Sequence, residues 1–124
     1  MKALVCKEYG TPDTLVIEER PDPVPGPGEV RIGIRAAGIN FPDVLVIAGT
    51  YQVKVPPPFI PGNEAAGIVE TVGEGVGRLK PGDRVIATPT GGAFAEKCVL
   101  AEKLCLPLPA AMSCGMTLLS ISQR

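Results

Sequence analysis

The side chains that could do chemistry in this chain are limited by the absence of histidine among its 124 residues. Without an imidazole the chain lacks the commonest general base, a Ser-His-Asp triad and every zinc site that needs a histidine ligand. Its four cysteines show no C-x-x-C spacing. We interpret them as free, mostly buried thiols in a reducing compartment; they are Cys6, Cys98, Cys105 and Cys114.

Two glycine-rich stretches raise the question of phosphate binding. Gly73-Glu74-Gly75-Val76-Gly77 has the beginning of a dinucleotide loop, but Arg78 stands where the third glycine belongs. The following residues 80–82, Lys-Pro-Gly, prevent the helix that such a loop opens. Gly91-Gly92 lacks the lysine and the hydroxyl residue of a phosphate loop. We therefore interpret both stretches as turns between strands.

Short strands must hold whatever site the chain builds, because 15 glycines and 14 prolines interrupt every regular element. Period-two alternation over Glu29–Arg35 predicts a half-buried strand. Asn40 as N-cap and Gly49 as terminator predict a helix over Phe41–Ala48. Gly67 inside a predicted strand indicates a bulge or close packing. Further strands are predicted at 1–7, 15–19, 64–72, 84–87, 93–100 and 103–108, with stiff proline connectors at 21–28 and 56–62. The pattern indicates one mainly β, barrel-like domain with Greek-key links.

The charge balance excludes several classes of partner. A net charge of −1 means that the chain has no excess of positive charge with which to bind nucleic acid or an anionic membrane. The apolar run before Lys7 has only four residues, Ala3–Cys6, which is too short for a secretory signal. The uncharged run from Leu104 to Gln123 is broken by prolines and hydroxyl residues, so it makes a poor membrane span. We expect a soluble, cytoplasmic protein with no nucleic-acid or membrane partner.

Several separated motifs carry a family resemblance. Ala37-Gly38-Ile39-Asn40-Phe41-Pro42-Asp43 is followed by Ala48-Gly49-Thr50-Tyr51 and by Pro61-Gly62-Asn63-Glu64-Ala65-Ala66-Gly67. In this order they resemble the medium-chain dehydrogenase/reductase superfamily, specifically its zinc-independent quinone oxidoreductase branch. The match extends over residues 1–112. The resemblance implies that these residues form the N-terminal, substrate-side domain, a GroES-like, partly open β-barrel with one or two short helices.

The resemblance also bears on metal binding. In the zinc alcohol dehydrogenases of this superfamily, a cysteine and a histidine that bind zinc stand at the positions of Asn40 and Asn63. Both residues are amides here, and neutral amides are poor zinc ligands. The lobe that holds a structural zinc with closely spaced cysteines has no counterpart in the sequence. We therefore expect no metal.

Without a metal, the resemblance implies hydride transfer from NADPH to a quinone or another conjugated carbonyl, over which the incoming charge spreads. Asn40, Tyr51 and Asp43 are the implied catalytic residues, the first two as hydrogen-bond donors. Asn40 and Phe41 are the implied cofactor contacts. Plainer roles stay open: Asn40 as a helix N-cap, Asp43 as a partner of the helix dipole, and Tyr51 as a rim residue. Glu64, an acid that lies near the metal in the superfamily, has the plainer role of pairing with a base or the backbone.

The last residues depart from the family. Relatives continue past residues 110–113 into a Rossmann domain with an A-x-x-G-x-x-G loop, and residues 114–124 match none of it. We therefore expect residues 113–124 to be an unmatched tail and the cofactor domain to be absent. On this expectation the isolated chain is inactive and binds NADPH only weakly. The apolar tail side chains also leave a homodimer open.

Two other functions stay open at this point. A truncated product of the family could act without catalysis, through association with a partner protein. A co-chaperonin shares the superfamily's N-terminal fold, but it needs a long mobile loop with an apolar tip. The long loops of this chain are stiffened by proline, which disfavours that function.

Overall fold

Antiparallel strands form the centre of the molecule, whose computed structural model describes residues 1–109. The strands are β1 (Lys2–Val5), β2 (Val16–Glu19), β3 (Glu29–Gly38), β4 (Glu64–Val72), β5 (Arg84–Ala87), β6 (Lys97–Ala101) and β7 (Cys105–Pro107). One α-helix, α1 (Phe41–Ala48), lies between β3 and β4, and 3-10 turns occur at Pro12–Thr14 and Glu102–Leu104. Strands β1 and β2 form a hairpin, and the other five form a sheet in the order β6-β3-β4-β5-β7.

The two sheets are joined by isolated bridges and not by continuous pairing. Ala3 bridges to Ala95 and Cys6 bridges to Phe59, so that β1 lies against the segments before β6 and after α1. The barrel is therefore open, and the prediction of a mainly β, partly open GroES-like domain is confirmed.

The core lies on one face of the five-stranded sheet. Strand β3 alternates as predicted, with Val30 and Ile32 fully buried. Val69 of β4, Val85 of β5 and Leu100 of β6 pack into the same cluster. Cys98 and Cys105 complete the cluster, and burial raises the pKa of Cys98 to about 12 and that of Cys105 to about 11.

The described cysteines are free, as predicted: Cys6, Cys98 and Cys105 are all buried. Cys114, the domain end at residue 112 and the tail at 113–124 lie outside the described residues.

Helix α1 has the predicted bounds, because its end signals are local. The carboxylate of Asp43 accepts a hydrogen bond from the backbone N–H of Asn40 (2.8 Å), as in a capping box. At the other end Gly49 adopts a left-handed conformation with φ 74°, and its N–H donates to the carbonyl of Val46 (3.1 Å). Strands β4 and β5 also have the predicted bounds.

The predicted strand at 93–100 begins later than expected, at Lys97. The N–H groups of Ala93 and Phe94 donate to the carbonyls of Gly62 and Pro61, so this segment is tied to a loop and does not join the β3 ladder. The predicted strand at 103–108 is likewise shorter, because residues 102–104 form a 3-10 turn.

Candidate functional site

A cleft of about 520 Å³ lies beside α1, within the size range of small-molecule sites. The end of α1, the loop that follows it and the loop after β5 form its walls. Most of the wall is apolar, from Val46, Val53, Val55, Phe59, Ile60 and Pro61. Polar groups enter at a few points only, from Asp43, Tyr51, Asn63, Thr88 and Thr90. Such a wall suits an apolar ligand that carries a small number of hydrogen-bonding groups.

Proline and one hydrogen bond shape the loop between α1 and β4. Pro56, Pro57 and Pro58 stiffen it, with a cis bond between the last two. The phenol of Tyr9 donates to the carbonyl of Val55 (2.7 Å), which ties the loop to the segment after β1. The apolar wall is therefore held in place both by the stiff prolines and by the Tyr9–Val55 hydrogen bond.

Asp43 is the buried charged residue of the described chain, with 3% of its surface exposed. Burial raises the pKa of its carboxyl group. The hydrogen bond from the Asn40 N–H opposes that shift, while the neighbouring charge of Glu64 adds to it. The raised pKa means that the folded chain binds a proton at Asp43 more readily than the unfolded chain does.

Asn63 is the residue that the sequence interpretation did not include in the site. Its Nδ2 donates to Oδ1 of Asp43 (3.4 Å), and it lines the cleft. The available signal was its place in the family motif, where zinc enzymes carry a ligand. Glu64 follows it, and its Oε2 is buried without a hydrogen-bond partner among residues 1–109. Pairing with a base or the backbone therefore does not describe that oxygen.

The structure brings together some of the predicted site residues and separates others. Asp43 and Tyr51 line the same cleft. Asn40 lies at the start of α1 and Phe41 in its first turn, outside the cleft wall, and Phe41 is 68% exposed. The N-cap position predicted for Asn40 is confirmed, and Asp43 serves the capping role at the helix start.

Residues 1–109 do not fit a whole dinucleotide. The segment Gly73–Gly77 forms a turn with no helix after it, as predicted. The first turn of α1, the α-helix of the described part, is already occupied by the Asp43 carboxylate, which repels a phosphate. No set of three or more histidine, cysteine or acidic side chains that could hold a metal ion occurs in this part of the chain.

The open antiparallel β-domain, with one capped helix beside an apolar cleft, defines the class as a GroES-like domain of the alcohol dehydrogenase type. A family model agrees: the alcohol dehydrogenase GroES-like domain matches residues 26–110. The chain belongs to this family, and the resemblance found in the sequence is confirmed. No helix within residues 1–109 is long and apolar enough to cross a membrane.

Two curated relatives carry quinone oxidoreductase or vesicle-protein names. Quinone oxidoreductase-like protein 2 of Rattus norvegicus is 43% identical over 108 residues, which are 87% of this chain and 30% of the relative. The synaptic vesicle membrane protein VAT-1 homolog of Mus musculus is 37% identical over 115 residues, 91% of this chain and 28% of the relative. The chain thus spans about 30% of the length of the curated relatives it matches.

Solved structures show the same fold. Escherichia coli quinone oxidoreductase complexed with NADPH superposes with a TM-score of 0.89 at 33% identity, covering 95% of this chain and 36% of the enzyme. A probable oxidoreductase from Mycobacterium abscessus superposes with a TM-score of 0.91 at 39% identity, over 98% of this chain and 39% of that protein.

Proposed function

We propose that the described domain is the substrate side of an NADPH-dependent reductase that transfers hydride to a quinone or another conjugated carbonyl without zinc. The observation that carries this proposal is the apolar cleft beside α1, with Tyr51 and Asp43 at its polar points. Quinone oxidoreductases among the relatives, one of them solved with NADPH, support the substrate and cofactor classes.

In this proposal the apolar wall holds the flat body of the substrate and excludes water. The phenol of Tyr51 donates a hydrogen bond to the carbonyl oxygen, where negative charge develops during reduction. A conjugated acceptor spreads that charge, so hydrogen bonding and positioning suffice. Asp43 and Asn40 are proposed to complete the catalytic set from the start of α1, and Asn40 and Phe41 to contact the cofactor. NADPH, when bound, supplies the hydride.

The experiment has a binding arm and an activity arm. Titration of the 124-residue chain with 1,4-naphthoquinone, followed by NMR, should shift the signals of cleft residues such as Val53 and Ile60. The rate of NADPH oxidation is then measured in the presence of EDTA, with a purified protein whose sequence contains residues 1–124. Tyr51→Phe should lower kcat/KM about ten-fold, the effect of one lost hydrogen bond to a developing charge. Gln52→Leu, on the same loop outside the cleft wall, is the matched control.

Two results would contradict the proposal. If the NMR shifts are spread over the surface and omit the cleft residues, the cleft is not the substrate site. If EDTA abolishes the activity, the reaction depends on a metal and the zinc-free mechanism is wrong.

A second candidate is association without catalysis, as a homodimer of this chain. Exposed apolar side chains next to the cleft favour it, since Ile39 is 78% and Phe41 68% exposed. Sedimentation across a concentration series tests it, and Phe41→Ser should then weaken the dimer. The buried free thiols support a cytoplasmic location as part of either proposal.

A further inference from the structure

Asn63 is exposed, yet the orientation of its side-chain amide is fixed by a hydrogen bond. It precedes β4 and is exposed, and its side chain forms part of the cleft wall. On its inner side lies Asp43, whose Oδ1 accepts the hydrogen bond from Nδ2 of Asn63 (3.4 Å). An ionised carboxylate can only accept, so the nitrogen end of the amide is the end that faces Asp43.

The carboxylate itself cannot turn freely. Its Oδ2 accepts the N–H of Asn40 (2.8 Å) at the helix start, and Asp43 is 97% buried by its neighbours' packing, with 3% exposed. The amide of Asn63 is therefore oriented by a group anchored in α1. Because Nδ2 is turned inward, Oδ1 points away from Asp43. A donor N–H that is bonded to a carboxylate also makes the amide oxygen a stronger acceptor.

We propose that Asn63 is a specificity-determining residue of the cleft, whose Oδ1 accepts a hydrogen bond from a hydroxyl group on a flat, apolar ligand, and that Asp43 is its positioning residue. This inference rests on the proposed function and deepens it. The ligand class is a hydroxyl-bearing aromatic or conjugated compound, which includes the hydroquinone formed by reduction and hydroxylated carbonyl substrates. The apolar wall of the cleft takes the ring system.

Two probes that share a naphthalene ring and differ by one methyl group separate donor from acceptor recognition. 2-Naphthol donates and accepts, whereas 2-methoxynaphthalene only accepts. The dissociation constants of both are measured for the 124-residue chain by NMR titration, and their ratio is compared between variants. The ratio cancels the general apolar affinity of the cleft. Asn63→Leu should shift the ratio about five-fold against 2-naphthol, the effect of one neutral hydrogen bond. Gln52→Leu should leave it unchanged.

The positioning role has its own variant. In Asp43→Asn the new amide keeps an oxygen for the Asn40 N–H but turns its NH₂ group toward Nδ2 of Asn63. Two donors then face each other, so the Asn63 amide should turn over and present N–H to the cleft. The ratio should then favour 2-methoxynaphthalene. A residue that only supports the fold would change both dissociation constants together. If this variant does not fold, the Asn63→Leu ratio decides alone.

The outcomes separate this inference from the proposed function. If neither probe nor 1,4-naphthoquinone shifts the cleft signals, the cleft is not a binding site and the proposed function fails with the inference. If the probes bind but Asn63→Leu leaves the ratio unchanged, the inference alone is overturned. A shifted ratio in Asn63→Leu with an unchanged ratio in Asp43→Asn overturns the positioning role of Asp43.

Discussion

Gly49 ends α1 and lies against the ring of Tyr9, whose hydroxyl is bonded to Val55 of the cleft wall. Its replacement by alanine should therefore cost more than backbone strain alone. A Cβ built on Gly49 would lie 2.7 Å from Cγ of Tyr9 and 2.9 Å from both ring Cδ atoms. Ordinary van der Waals contact begins at 3.4 Å, so the ring must move away by about 0.7 Å. The ring cannot retreat freely, because its hydroxyl is bonded to the carbonyl of Val55.

Gly28 provides a matched control. It has the same φ of 74° as Gly49, but a Cβ there would meet nothing within 4 Å. Gly28→Ala should therefore cost the left-handed strain alone, about 1–2 kcal/mol. Gly49→Ala carries the same strain plus a packing clash of about 1–3 kcal/mol, for a total of about 2–5 kcal/mol. The difference between the two variants isolates the contact with Tyr9.

Urea unfolding followed by circular dichroism measures both variants, with equal m-values as the check on two-state comparison. Tyr9→Ala completes a double-mutant cycle, in which removal of the ring should recover about 1–3 kcal/mol of the Gly49→Ala cost. The reasoning is wrong if Gly49→Ala and Gly28→Ala cost the same to within about 0.5 kcal/mol. It is equally wrong if the Gly49→Ala cost persists in the Tyr9→Ala chain.

Two further predictions concern titration. The Lys97 ammonium and the N-terminal amine beside Asp22 lower its pKa from 3.8 to about 2. Because the folded pKa is the lower one, Asp22 stabilises the fold above pH 3.8, and this contribution is lost as the pH falls toward about 2. Asp22→Asn should flatten the acid limb of the pH–stability curve between these values, and an unchanged limb would contradict it. Burial of Cys98 and Cys105 predicts slow thiol labelling at pH 8. In the Cys114→Ser variant the remaining thiols are the buried Cys6, Cys98 and Cys105, and Ellman's reagent should react with them only after guanidinium is added. Rapid labelling of the native variant would show that the core cysteines are accessible.

The elements that could be predicted from the sequence are those whose first and last residues are determined by neighbouring residues in the chain. Helix α1 is bounded by Asn40 and Gly49, each of which acts on its own neighbouring backbone. Strands β4 and β5 lie between turn residues and were predicted with their observed bounds. The bulge or close packing predicted at Gly67 agrees with the register shifts of β4 against β3. The carbonyl of Gly33 and the side chain of Ile32 also occupy the space that a Cβ would need at this position.

The start of β6 could not be predicted, because it depends on a partner distant in sequence. Ala93 and Phe94 have the composition of a strand, but their N–H groups bond to Gly62 and Pro61. The neighbouring sequence does not distinguish this pairing with residues 61 and 62 from continued pairing with β3. Tyr9 is similar, since its role against Gly49 and Val55 joins segments that the sequence leaves unrelated.

The meeting of Asp43 and Asn63 follows from strand register. Gly38, the last residue of β3, pairs with Glu64, the first residue of β4. Helix α1 starts soon after Gly38, and Asn63 immediately precedes Glu64, so this one pairing brings the helix start and the strand start together. A Cβ at position 38 would meet Oε2 of Glu64 at 2.5 Å, so the glycine makes room for this buried oxygen.

Register is also what makes the site sensitive to distant changes. A shift of one residue between β3 and β4 would turn each side chain to the opposite face of the sheet. Asn63 would then lose Asp43, although every residue of the site would still be present. Asp43 and Tyr51 were predicted from their motifs and do line the cleft, but the orientation of the Asn63 amide is a property of the β3–β4 pairing. Substitutions that disturb that pairing, at Gly38 or Gly67, therefore act on the cleft as directly as substitutions in its wall.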